Sequence, residues 1–142
     1  MEQRMSVVTL GVNDLARSKA FYQQALGWTI SADEGQIAFF QLNGVVLALY
    51  PRDALADDAQ VSGEGAGFAG VTLAYCTRSR EETDEILRQV ERAGARIVKP
   101  AQEAFWGGYS GYFADPDGHL WEVAHNPFWT LDEKGNVHLE AP

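Results

Sequence analysis

The chain has 142 residues, a formal net charge of -9, 46% hydrophobic residues and 22% charged ones, the make-up of one globular domain with a real core. Its eleven lysines and arginines are scattered and outnumbered by twenty acids, which excludes a nucleic-acid surface, because phosphate neutralisation needs clustered cations. The single cysteine, Cys76, excludes an internal disulfide and a four-cysteine zinc site and is expected in the core; with no apolar run of membrane-spanning length and no signal-peptide pattern, a cytoplasmic protein without a membrane partner is expected.

In chain order, Val8-Thr9-Leu10-Gly11-Val12 reads as a strand that leads into a helix. Asn13 or Asp14 can cap that helix, Leu15, Ser18, Phe21, Tyr22, Ala25 and Leu26 recur at helical spacing, and Gly27 stops it. A weaker strand is expected near Trp28–Ser31. Gln36–Leu42 and Val45–Tyr50 read as strands joined at Asn43-Gly44, a pair that tolerates the positive φ of a tight hairpin. Residues 51–67, rich in Asp, Ala and Gly, read as a solvated linker.

The order then repeats. Val71-Thr72-Leu73-Ala74-Tyr75 is a strand sharing Val-Thr-Leu with the first, 63 residues on. Ser79 and Glu82 have capping-box spacing, Ile86, Leu87, Val90 and Ala93 mark an apolar helix face, and Gly94 ends it. Ala95–Lys99, Gly111–Ala114 and His119–His125 read as strands, the last two joined by Asp115-Pro116-Asp117-Gly118. Each half is therefore β-α-β-β-β. The expected organisation is one domain of two modules, about 5–50 and 68–126, with the linker between them. The tail, 127–142, reads as a small hairpin: Phe128–Leu131, a turn at Lys134-Gly135-Asn136, then Val137–Leu139.

Val12-Asn13-Asp14-Leu15, Phe21-Tyr22 and Leu26-Gly27 resemble the opening signature of the glyoxalase/bleomycin-resistance/dioxygenase (vicinal oxygen chelate) superfamily. Tyr112-Phe113-Ala114-Asp115-Pro116-Asp117-Gly118 with Glu122 resembles its closing signature. The resemblance runs from about Val7 to Asn126. It implies an α+β fold in which two βαβββ modules form a curved, half-open mixed sheet with helices on the convex side and a cavity on the concave side. Many members hold a divalent metal there, and others bind a drug or metabolite without one. The resemblance puts the four metal-ligand positions on Val7, Ala48, Gly70 and Glu122. Only Glu122 offers a lone pair, and one carboxylate cannot supply the three or four ligands a catalytic metal needs. Strand alternation turns His119 and His125 away from the face of Glu122, and His138 lies in the tail. No cofactor is therefore expected, and a divalent metal would need non-standard ligands. A homodimer is also expected, because related short chains often build their cavities across a two-fold.

Period-2 alternation puts Leu120 and Ala124 on the face of Glu122, with Val7, Thr9, Gly11, Val46, Ala48, Tyr50, Gly70, Thr72 and Ala74 on the matching faces of their strands. The resemblance adds Tyr112, and Trp106 on a covering loop. The candidate ligand-binding set is Thr9, Tyr50, Thr72, Trp106, Tyr112 and Glu122, a mixture of apolar wall and convergent polar groups suited to a small, partly aromatic molecule. Trp106 and Tyr109 also read as rings that merely anchor a loop, and Glu122 as a carboxylate held by Tyr112 or a threonine. Two functions stand side by side. One is metal-free binding of the small molecule. The alternative is a lyase, isomerase or dioxygenase with Glu122 as base assisted by Tyr112, or with a metal on non-standard ligands.

Overall fold

The structure is a computed structural model that describes residues 1–139. It divides into two compact units, the second beginning at Gly70. The first contains β1 (Val7–Val12), α1 (Leu15–Gln24), β2 (Ala32–Asp33), β3 (Ala38–Gln41), β4 (Val46–Pro51) and α2 (Arg52–Ala59). The second contains β5 (Leu73–Thr77), α3 (Arg80–Arg92), β6 (Arg96–Glu103), β7 (Tyr109–Ala114), β8 (Leu120–His125), β9 (Thr130–Leu131) and β10 (Val137–His138).

In the first unit Asp14 is extended and its carboxylate accepts from the Arg17 N–H, so one of the helix's orphan donors is satisfied. α1 buries Ser18 and Tyr22. Tyr22 meets Trp28 and Phe40, and Phe40 lies opposite Leu47 in the sheet. Leu47 and Leu49 therefore face α1, and both are almost wholly buried. The hairpin at Asn43-Gly44 forms as its residues require, with Gly44 at φ 85. The sheet order is β1-β4-β3-β2, with β1 parallel to β4 and the other pairs antiparallel.

The second unit repeats this plan: β5-β8-β7-β6, with β5 parallel to β8. Ser79 caps α3 by accepting from the Glu82 N–H. The reciprocal bond reaches one residue further than a capping box, from the Arg78 N–H to the Glu82 carboxylate at 2.6 Å. α3 buries Thr83, Leu87 and Val90. A Cβ on Gly111 would stand 2.7 Å from Leu87 Cδ1, so the helix lies directly on β7. Phe113 and Trp121 stack on this helix side, ring centroids 6.2 Å apart.

Several expectations need correction. The linker begins with α2, which packs on β1 and β4 and ends at Gln60 in the left-handed region, φ 58. Pro51 before the first turn, Asp53 within it and the alanines all favour a helix there. No strand forms at Trp28–Ser31; β2 is only the pair Ala32–Asp33, because Trp28 turns into the Tyr22–Phe40 cluster. β5 starts at Leu73 rather than Val71. β6 runs past Lys99 to Glu103 with register shifts on both sides of Lys99; Pro100, lacking an N–H, is tolerated on this edge strand.

The period of the repeat is also corrected. Val12 and Thr77 end the first strands, and Asp14 and Ser79 are the caps. Both pairs are 65 residues apart, not 63. The Val-Thr-Leu match is therefore out of step by two residues. A slip of two keeps every side chain on its face, so the sorting of faces stands.

The tail forms the expected hairpin, β9 with β10; residues 140–142 lie outside the described residues. Its turn is organised by Asp132. The carboxylate accepts from the Asn136 side chain, from His138 Nε2 and from the N–H groups of Asn136 and Lys134, and these bonds hold its carboxyl well below the usual carboxylate range. Arg78 Nη2 donates to the Asp132 carbonyl at 2.8 Å, tying the tail to the β5–α3 corner.

Candidate functional site

The second unit carries α3 on one face of its sheet and Thr72, Tyr112 and Glu122 on the other. Register pairs Tyr112 with Glu122, and Glu122 with Ala74. Directly paired residues point to the same side, so Tyr112, Glu122 and Ala74 share the face away from Trp121 and Val123. Thr72 precedes β5 by one residue and continues that face. Burial pushes the Tyr112 phenol above its ordinary value. The Glu122 carboxylate raises it further by its charge and by accepting a hydrogen bond from the phenol, while the Thr72 hydroxyl, a donor to the phenol oxygen, opposes the rise. Thr72, Tyr112 and Glu122 are thus one interacting group, Tyr112 in the middle. Glu122 is half-buried, and Ser110 and Ala124, paired beside it, are buried.

Cys76 belongs to this face too, not to the core where composition puts it. It is half-buried, and burial, then the Glu122 charge, push its thiol up. Alternation from Ala74 would have placed it here.

Trp106 lies in the β6–β7 connection, where the Ala104 N–H donates to the Gly108 carbonyl. A Cβ on Gly108 would fall 1.8 Å from the Trp106 ring, so the indole packs down on bare backbone that only glycine provides. Phe105 beside it is wholly exposed. Tyr109 serves the opposite face: its hydroxyl donates to Asp84 at 2.6 Å and Arg80 lies 5.0 Å from its ring centroid. It anchors the loop to α3.

Thr9 and Tyr50 belong to the first unit, on the face of its sheet away from α1, where Thr9 pairs with Ala48 and Tyr50 with Gly11. Both are half-buried. A Cβ on Gly11 would meet Arg52 at 3.3 Å, so the start of α2 covers that end of the face. The residues 51–67, read as linker, hid this.

The structure also moves one metal-ligand position. With a period of 65, the counterpart of Val7 is Thr72, not Gly70, and the counterpart of Ala48 is Glu122. The family's positions then hold Val7 and Ala48 in the first module, Thr72 and Glu122 in the second. Valine and alanine offer no donor, a neutral hydroxyl is a weak one, and no imidazole stands at any of the four. Among the described residues no group of three or more His, Cys, Asp or Glu side chains is placed to hold a metal ion. The residues present do not fit the metal site of the family.

Residues 4–123 match the model of the Glyoxalase/Bleomycin resistance protein/Dioxygenase superfamily. The chain belongs to this superfamily. It is 30% identical over 121 residues to the metallothiol transferase FosB of Lysinibacillus sphaericus, covering 84% of this chain and 80% of that protein. It is 28% identical to the glutathione transferase FosA of Serratia marcescens, covering 87% and 81%. Among solved structures it resembles a glyoxalase-related enzyme from Fulvimarina pelagi with a TM-score of 0.91 and 36% identity, covering 99% of this chain and all of that one. A lactoylglutathione lyase from Agrobacterium tumefaciens, 22% identical at a TM-score of 0.70, shares the fold. Among the described residues no helix is long and apolar enough to cross a membrane.

Proposed function

We propose that the chain binds a small, partly aromatic molecule on the Thr72–Tyr112–Glu122 face, with these side chains taking the ligand directly where relatives of the fold use a metal. The observation that carries the reading is the donor set: a hydroxyl, a phenol and a carboxylate on one face of the sheet, Tyr112 paired directly with Glu122, with Val7 and Ala48 at the remaining metal positions. The group supplies a carboxylate acceptor, a phenol that can give or take a hydrogen bond and a hydroxyl beside it, on a face shared with Ala74, Cys76, Ser110, Leu120 and Ala124. A few convergent polar groups on an apolar wall fix orientation while the wall supplies affinity. Trp106 supplies a ring near one end of the same sheet.

A thermal-shift screen of small aromatic compounds on chelator-treated protein tests this. Compounds that stabilise the wild type should do so equally with and without chelator, and lose the effect in Tyr112→Phe and Glu122→Gln. Compounds that act only after a divalent metal is added would overturn it.

Similarity to two transferases and a glyoxalase-related enzyme favours a second reading. Here Glu122 takes a proton from the bound molecule while Tyr112 holds its oxygen. Turnover lost in Glu122→Gln with binding retained would separate catalysis from recognition.

A further inference from the structure

The β5–β8 pair ends in chemistry that the Glu122 face does not use. Beyond Thr77 and His125, the last residues of the two parallel strands, lies an open recess of about 220 Å³ lined also by Trp129 and Leu131 of the tail. Arg78 and His125 also line it. Each contributes an unspent polar group. The Arg78 guanidinium gives Nη2 to the Asp132 carbonyl, a neutral acceptor. The Asp132 carboxylate is turned into its own hairpin, where it already accepts four hydrogen bonds. Among the described residues no carboxylate forms an ion pair with Arg78. The His125 ring meets the Thr77 carbonyl through Nδ1 at 3.4 Å, which leaves Nε2 as the other polar atom. Trp129, which also lines the recess, is 45% exposed.

A guanidinium without an ion pair, sharing a recess with a partly exposed indole in a chain of net charge -9, is a selective feature. A general anion is repelled by the acidic surface, while a planar carboxylate gains twice, from a forked hydrogen-bonded pair with the guanidinium and from ring contact with the indole. The volume is below the roughly 300 Å³ at which drug-sized pockets begin, so a single-ring acid suits it. We propose that this recess is a second small-molecule site, for a small aromatic or heteroaromatic carboxylate. Arg78 grips the carboxylate, Trp129 covers the ring and His125 Nε2 bonds a ring substituent. The site is independent of the Thr72–Tyr112–Glu122 face.

The test is an NMR titration of the ¹⁵N-labelled chain with benzoate, following the four indole N–H signals and the arginine Nε–H signals. Benzamide, neutral and of the same shape, and acetate, an anion without a ring, are the controls. The Trp129 and Arg78 signals should shift and saturate with benzoate, and with neither control at the same concentrations. Arg78→Met should weaken binding roughly tenfold or more, the loss of a charge-assisted pair. Because Arg78 also holds the tail, unchanged Lys134 and Asn136 amide signals in that variant must accompany the loss. Trp129→Leu, which keeps the Arg78 link, should weaken binding as well. Glu122→Gln should bind benzoate like the wild type, whatever becomes of the Glu122 face. Shifts that do not saturate, that benzamide reproduces, that survive Arg78→Met, or that centre on Tyr112 would overturn the proposal.

Discussion

The two modules place the same strands in the same order, yet three matched positions differ in one consistent way. In the first module they hold Val7, Phe39 and Ala48; in the second, Thr72, Tyr112 and Glu122. Phe39 pairs with Ala48 as Tyr112 pairs with Glu122, and Val7 stands to Ala48 as Thr72 stands to Glu122. Valine and threonine have nearly one shape, as do phenylalanine and tyrosine. Two of the three differences therefore add a hydroxyl to a surface whose form is already fixed. The third does not: Ala48 is wholly buried, whereas Glu122 is half-buried. The lesson is that one fold carries scaffold and site in equivalent places, and that the polar module has the room its partner lacks.

The largest effect that would break or sharpen this comparison is on Ala48. Ala48→Glu forces an unpaired carboxylate into a fully buried position, and should cost at least about 3 kcal/mol from overpacking and desolvation. Glu122→Ala should cost less than about 1 kcal/mol, because its group is partly hydrated. Urea denaturation of the two variants measures both, and equal losses would remove the distinction between the modules.

Next come the helix sides, where the modules should behave alike. Ser18 and Thr83 are the matched positions, 65 residues apart, and both are fully buried. Thr83 and Thr77 share a hydroxyl hydrogen bond of 2.7 Å. Thr83→Val and Ser18→Ala should each cost about 1–2 kcal/mol by the same denaturation measurement, the penalty for stranding a buried polar partner. A loss in only one module would show that the repeat extends to the sheet alone.

The smallest effect is spectroscopic. Tyr112 keeps its proton to higher pH than an unfolded tyrosine, chiefly through burial and then through Glu122. Its contribution to stability is therefore fully present below the unfolded value of about 10 and is lost as pH rises through the raised folded value. Tyr75 and Tyr109 are raised as well, so the ultraviolet difference between wild type and Tyr112→Phe isolates the phenol. Glu122→Gln should move that difference titration down. No movement would mean that the two side chains do not interact.

Much of this was legible in the chain. Asn43-Gly44 and Asp115-Pro116-Asp117-Gly118 fix two hairpins, and the second sets Tyr112 opposite Glu122. Alternation then puts Thr72 on the same face, and it does so even though the repeat is two residues longer than Val-Thr-Leu suggests, because an even slip preserves sidedness. The misses have physical causes. α2 has no apolar stripe, and its alanines and aspartates read as solvated chain. Trp28 leaves strand geometry to complete an aromatic cluster that only tertiary packing reveals. Asp132 organises the tail through four hydrogen bonds converging from residues up to six positions away, which no local propensity announces. For Cys76 composition points to the core, whereas alternation from Ala74 points to the Glu122 face on which it lies.

The central claim is that Thr72, Tyr112 and Glu122 act where relatives of the fold place a metal, and elemental analysis tests it most directly. Protein purified without chelator, wild type and Glu122→Ala, would be measured for zinc, manganese, iron and nickel. Sub-stoichiometric metal in both is the expected result. Close to one ion per chain in the wild type, lost in Glu122→Ala, would contradict it.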